Sequence, residues 1–228
     1  MQQPGNVLIT GGASGLGAAT AEAVAKAGGT PLVIDREVPE SDWPYRRADL
    51  ADSKAAAQAV EDLAVQAGGL DAVFCAAGTD ACGPLADVDA DAWEQVVKVN
   101  LIGTAAVVRA ALPHLTETQG AVITCASTLG LKAVSDATAY CASKFGVVGF
   151  TRALAAETAG RIRVTLLVPG GMRTAFFDGR PDQYKPGPTA KLNDPRDVAN
   201  AVLFALAQPP GCEVRELVVC CSEETSWP

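Results

Sequence analysis

Short, continuously apolar runs alternate along this chain with longer stretches of helical periodicity. Val7-Leu8-Ile9, Pro31 to Asp35, Leu70 to Cys75, Ala121 to Cys125, Ile162 to Val168 and Glu216 to Val219 read as strands. Gly15 to Ala27, Ser53 to Gln66, Asp91 to Leu115, Ala137 to Thr158 and Pro195 to Ala207 read as helices. Ser53 or Asp52 is placed to cap the second helix, and Asp194 the last. Strands that are apolar at every position and separated by helices belong to a parallel sheet covered on both faces. The expected fold is α/β: a doubly wound parallel sheet in three layers, α/β/α, forming a single domain over 1–228. Thr174 to Asn193 breaks the pattern with recurring Gly and Pro. A loop of that length in a compact domain is usually a lid, so it is the expected substrate loop.

Composition narrows the function classes. Of 228 residues, 49% are hydrophobic and 19% charged, which excludes a disordered chain. Net charge is −8, so duplex nucleic acid is not an expected partner, and any phosphate must be held by a few local donors. The seven cysteines (75, 82, 125, 141, 212, 220 and 221) are odd in number and contain no C-x-x-C pair. Reduced thiols in a cytoplasmic protein are expected, with neither a disulfide framework nor a zinc site. Met1 to Asn6 shows no basic leader, and no apolar run is read as approaching the ~18 residues of a membrane span. The single histidine, His114, excludes a Ser-His-Asp triad and is read as a helix-end capping residue. Trp93 is read as core or interface packing.

Between the first strand and helix lies Thr10-Gly11-Gly12-Ala13-Ser14-Gly15-Leu16-Gly17. Glycines there let the backbone approach a pyrophosphate, while the helix N-terminus offers unpaired N–H groups. No Lys-Ser/Thr follows, which disfavours a nucleoside-triphosphate P-loop. Asp35 closes the second strand, where a carboxylate accepts both ribose hydroxyls of an adenosine and repels a 2′-phosphate. NAD is therefore expected over NADP. Arg36 is the dissenting charge, read as stacking near adenine or as solvated.

A second constellation is more specific. Tyr140 and Lys144 stand four apart on one helix face, with Ser127 thirteen residues earlier at a strand end and Asn100 on the preceding long helix. A tyrosine titrates near ~10, and moving it to ~7 takes about 4 kcal/mol. A cation at ~4 Å gives ~1 kcal/mol in water and ~4 kcal/mol at the effective dielectric of a protein surface, so Lys144 is expected to supply most of that shift.

With these motifs the chain resembles the classical short-chain dehydrogenase/reductase family, from about Asn6 to Val219. The resemblance implies a Rossmann-type fold and an oxidoreductase that interconverts a secondary alcohol and a ketone, with a small-molecule alcohol or carbonyl substrate. Tyr140 would be the general acid/base, and Lys144 would bind the nicotinamide ribose. Ser127 would hold the substrate oxygen, and Asn100 would anchor a proton-relay water. Cofactor contacts would come from Gly11, Ser14, Gly15, Leu16, Gly17, Asp35, Arg36, Asp49, Leu50, Ala76, Ala77, Gly78, Tyr140, Lys144, Pro169, Gly170, Met172 and Thr174. Cys75-Ala76-Ala77-Gly78 stands where the family has N-N-A-G, so the asparagine bonds that brace the sheet are expected to be lost. The ending Val218-Val219-Cys220-Cys221 lacks the family's V-D-G-G. The resemblance also implies a homodimer or homotetramer paired through the two long helices. The alternatives are an NADPH-dependent 3-oxoacyl-thioester reductase and a non-catalytic NAD-binding sensor or scaffold.

Overall fold

The structure is a computed structural model that describes residues 3–209 and 211–227. Among the described residues, seven strands form one sheet: β1 (Asn6–Thr10), β2 (Thr30–Asp35), β3 (Tyr45–Arg47), β4 (Ala72–Cys75), β5 (Ala121–Cys125), β6 (Arg163–Pro169) and β7 (Glu216–Val219). Their order is β3-β2-β1-β4-β5-β6-β7, and every pairing is parallel. The helices are α1 (Gly15–Lys26), α2 (Ser53–Ala67), α3 (Ala90–Val97), α4 (Thr104–Thr118), α5 (Thr138–Glu157) and α6 (Pro195–Leu206). A π-helical turn, Lys98–Gly103, joins α3 to α4.

The two-residue period of the strands sorts the core into two layers. Leu8 lies level with Leu32 and Val73, and these three pack with Val122 against α2, α4 and α5. Val7, Ile9, Phe74 and Ile123 point the other way, onto α1 and α6. Both faces are buried, which is why the strand positions are apolar throughout. Each side chain of Val7, Leu8 and Ile9 is fully buried; at about 25 cal/mol per Å² of apolar area, each contributes on the order of 2 kcal/mol. The predicted doubly wound Rossmann-type α/β fold is what the chain adopts.

Several boundaries differ from expectation for identifiable reasons. β3 was not predicted: Tyr45-Arg46-Arg47 is a polar, half-exposed edge strand three residues long, so it carries no apolar signal. Leu70 and Asp71 lie outside β4, although Asp71 is tied to β1 through its carboxylate, which accepts from the Asn6 N–H at 2.7 Å. Asp52 is the cap of α2, accepting from the backbone of Lys54 and Ala55, and Asp194 caps α6. The helix expected over 91–115 is a continuous helical run over 90–118, interrupted by the π turn. That run is long and apolar enough to cross a membrane, which corrects the expectation that no such stretch exists; here it covers the sheet, with 44% of its most apolar window buried. His114 is not a cap. It lies inside α4, and its Nε2 stands 3.0 Å from a Glu61 carboxylate oxygen on α2.

Candidate active site

The sheet reverses its strand order between β1 and β4, and the carboxyl ends of those strands open into a cleft. Every residue expected to touch the cofactor lines one cavity of about 500 Å³ there, and Ser127 lines it too. Asn100 does not: it is buried behind the wall.

The turn after β1 is shaped for close approach. Gly11 has φ +70°, and a Cβ on it would stand 2.8 Å from Ala77 Cα. A Cβ on Gly17 would stand 2.0 Å from the Gly11 carbonyl oxygen, so helix and turn touch backbone to backbone. Ser14 precedes α1 in extended conformation and makes no side-chain cap, which leaves the first N–H groups of the helix facing the cavity. Asp35 accepts from the Ala13 N–H at 3.0 Å and the Glu37 N–H at 3.1 Å. A carboxylate has about four lone-pair sites, so capacity for ribose hydroxyls remains. The donor set, the glycine cradle and the acidic strand end fit a dinucleotide.

The missing asparagines after β4 are replaced by other braces. Thr10 Oγ1 accepts from the Ala77 N–H at 3.2 Å. Asn100 accepts from the Thr79 N–H at 2.8 Å and donates to the Thr79 carbonyl at 2.9 Å and to Ser143 Oγ at 3.0 Å. The π turn carries Asn100 to this position, and at its end a Cβ on Gly103 would stand 2.6 Å from the Leu50 carbonyl oxygen. Asn100 thus fastens the segment after β4 to α5. Asp49, by contrast, spends one carboxylate oxygen on its own turn, accepting from the Ala51 N–H at 2.9 Å.

Tyr140 and Lys144 share the cavity-facing side of α5, with Lys144 Nζ 5.5 Å from the tyrosine ring centroid. Lys144 is buried and donates to the Cys125 carbonyl at 2.9 Å. A Cβ on Gly78 would stand 3.5 Å from Asn100 Oδ1 and 3.6 Å from Lys144 Nζ, so glycine leaves these two groups room to face each other. Burial pushes the Tyr140 phenol well above its usual range, and the Cys125 thiol and Asp80 add to this. A hydrogen bond with Ser127 and the Arg180 charge pull it back. Burial pushes Lys144 down. In the protein alone, desolvation of the phenolate outweighs the charges around it, the opposite direction to the shift expected from Lys144.

Two segments roof the site. The 174–193 loop contains two short 3₁₀ turns, Ala175–Phe177 and Asp182–Tyr184, and a bridge between Met172 and Asn193 closes its base. Phe176 packs on Tyr140 with ring centroids 5.7 Å apart. The chain after β7 folds back over the cavity: Glu224 accepts from the Gly171 N–H at 3.0 Å, and Ser226 Oγ stands 2.6 Å from Thr128 Oγ1. Gly170 leaves room for the Glu224 carboxylate, which stands where a Cβ at this position would be. Asp80, Arg180, Glu224 and Ser226 were not singled out in the sequence. Solitary polar residues in loops carry no periodic signal; only Arg180 lies in a stretch, 174–193, that its Gly/Pro density marked. Trp93 is half-buried, its indole N–H donating to Thr138 Oγ1 at 3.0 Å. All seven cysteines are free thiols.

The cleft is suited to a dinucleotide, and comparison with known proteins gives the family. A family model described as short chain dehydrogenase matches residues 5–185, and the chain belongs to that family. It is 30% identical over 216 residues to cis-4-hydroxycyclohexanecarboxylate dehydrogenase of Sinomonas cyclohexanicum, covering 86% of this chain and 87% of that one. It is 32% identical to a 2,5-dichloro-2,5-cyclohexadiene-1,4-diol dehydrogenase of Sphingobium indicum, covering 86% of each. Among solved structures, a dehydrogenase/reductase of Sinorhizobium meliloti superposes with TM-score 0.82 at 26% identity, covering 95% of this chain and 93% of that one. An alcohol dehydrogenase of Thermococcus sibiricus, complexed with 5-hydroxy-NADP, superposes with the same score at 23% identity, covering 94% and 95%.

Proposed function

We propose that the protein is an NAD-dependent dehydrogenase that interconverts a small secondary alcohol, of the alicyclic kind named for two relatives, and its ketone. The observation that carries the reading is the convergence of Ser127, Tyr140 and Lys144 at one end of a cavity whose other end is lined by the glycine turn and Asp35. Bound NAD supplies the hydride acceptor. Tyr140 takes the proton of the substrate hydroxyl in oxidation and returns it in reduction, and Ser127 holds the reacting oxygen. Lys144 binds the ribose next to the reacting ring. Asn100 keeps the segment around Thr79 in register with α5. Gly11, Gly15, Gly17 and the α1 N-terminus hold the pyrophosphate by backbone donors, as the acidic surface requires.

Two acids at the end of β2, Asp35 and Glu37, line the adenosine side together with Arg36. Two carboxylates facing a 2′-phosphate favour NAD. Free thiols fit a reducing, cytoplasmic setting. Ile102 and Phe145, exposed on the π turn and α5, are suited to pairing of these helices in a homo-oligomer.

Tyr140→Phe removes the proton acceptor and leaves the cavity's shape. Turnover of cis-4-hydroxycyclohexanecarboxylate or cyclohexanol with NAD should fall by at least ~10²-fold, while NAD binding by calorimetry stays within a few-fold. Undiminished turnover refutes the assignment.

A further inference from the structure

Arg180 occupies an unusual place for a cation. It is carried by the 174–193 loop, yet its side chain is 17% exposed and pairs through Nη2 with an Asp80 carboxylate that is only 4% exposed. Its guanidinium lies over two rings, with Cζ 5.2 Å from the centroid of Phe176 and 4.6 Å from that of Phe177. Nη1 donates to the Tyr184 carbonyl at 3.3 Å. Nε, among the described residues, is the buried side-chain polar atom that has no partner. A flexible, charged side chain held there with a donor unsatisfied is being used for its charge and for its hold on the rings.

The other end of the pair is on a segment fastened to the helix that carries Tyr140 and Lys144. Asp80 follows Thr79, which Asn100 clamps to α5. Its Oδ1 accepts from the Ala81 N–H at 2.7 Å and its Oδ2 from the Cys82 thiol at 3.1 Å. Phe176, under the Arg180 guanidinium, is the ring that packs on Tyr140.

We propose that Arg180 is a positioning residue for the reaction: on the closed loop it cancels the negative charge that the fold buries at Asp80, on the segment clamped to the helix of Tyr140 and Lys144, and seats Phe176 on the Tyr140 ring. The inference rests on Tyr140 being the group that exchanges the proton. Groups facing Tyr140 are Lys144 on its own helix, Ser127 and the Cys125 thiol at the end of β5, Asp80 after β4, and Arg180 from the loop. Cys82 and Asp136 stand around Asp80, Cys75 lies near Lys144, and Glu224 lines the same cavity from the C-terminal segment. Within this set Asp80 raises the tyrosine and Arg180 lowers it. With the loop withdrawn, Asp80 stands uncompensated and the phenol keeps its proton. With the loop closed, the pair is neutral and that part of the upward push on the phenol is relieved.

The test is the acid limb of the pH profile of kcat/KM for cyclohexanol oxidation with NAD. A parallel ultraviolet titration of tyrosinate in the NAD-saturated protein is read as a difference from Tyr140→Phe. Arg180→Met keeps apolar bulk on the two rings and should move both midpoints up by on the order of one pH unit. Asp80→Asn should move them down, and the double variant should return them close to wild type. Arg180→Lys, which retains the charge, should leave them close to wild type. Circular dichroism verifies folding, and Asp80→Asn alone decides the matter if Arg180→Met does not fold. A uniform loss of rate with unmoved midpoints, or an Asp80→Asn midpoint equal to wild type, overturns the proposal. Since the titration does not depend on turnover, it separates this failure from failure of the alcohol assignment.

Discussion

Gly17→Ala tests the central geometric claim because two physical effects predict opposite signs. Gly17 lies in the first turn of α1, where replacing glycine by alanine ordinarily stabilises a helix by about 1 kcal/mol. Here the added Cβ would stand 2.0 Å from Gly11 O and 2.5 Å from Gly11 C, against about 3.4 Å for an ordinary contact. Relief requires α1 to retreat from the turn by more than an ångström. The turn cannot give way instead, since the Gly11 N–H donates to the Ile34 carbonyl at 2.9 Å and Gly11 itself abuts Ala77. Leu16, Thr20, Ala21 and Val24, all buried, must move with the helix. Overpacking of this kind costs about 1–3 kcal/mol, and more where the neighbour is backbone. Net destabilisation of about 2 kcal/mol corresponds to a fall of roughly 4–8 °C in Tm for a chain of this size. Scanning calorimetry should show that fall, and NAD affinity should drop at least ~10-fold because the pyrophosphate cradle widens. A Tm at or above wild type, with unchanged NAD binding, would mean that propensity wins and that the turn is not closely packed.

Asp35→Ala should narrow the preference for NAD over NADP by on the order of 10-fold in kcat/KM, since one of the two carboxylates near the ribose is removed. A wild-type enzyme already faster with NADP would overturn that reading. A third prediction concerns alkaline stability. Burial pushes the Cys75 thiol up to about 12 from its usual 9, so above pH 9 the unfolded chain loses a proton that the folded chain keeps. Stability contributed by this thiol is complete below pH 9 and falls as pH rises toward 12, by up to about 1.4 kcal/mol per pH unit. Urea melts of Cys75→Ala should show a shallower decline over that window, and an unchanged slope would contradict it.

Legibility followed physical cause. β1, β2, β5 and β6 were visible because both faces of each are buried and the sequence must be apolar there; β3, wet on one side and paired on one edge, left no such mark. The glycine turn and the Tyr140–Lys144 spacing were visible because a close backbone approach and a shared helix face each impose a residue type at a fixed offset. What was hidden is held by pairings across long separations: Asp80 with Arg180, Asn100 with Thr79, Glu224 with Gly171. Asp80, Arg180, Thr79 and Glu224 are each ordinary polar residues alone, and only the fold makes them counterions or braces. The same division applies to Tyr140. The helical offset reveals the nearby cation, but the desolvation that opposes it is a property of everything packed around the ring, including Phe176 from a loop 36 positions away. The surroundings of the phenol are therefore set by what the roofing segments pack around it as well as by its neighbour on the helix.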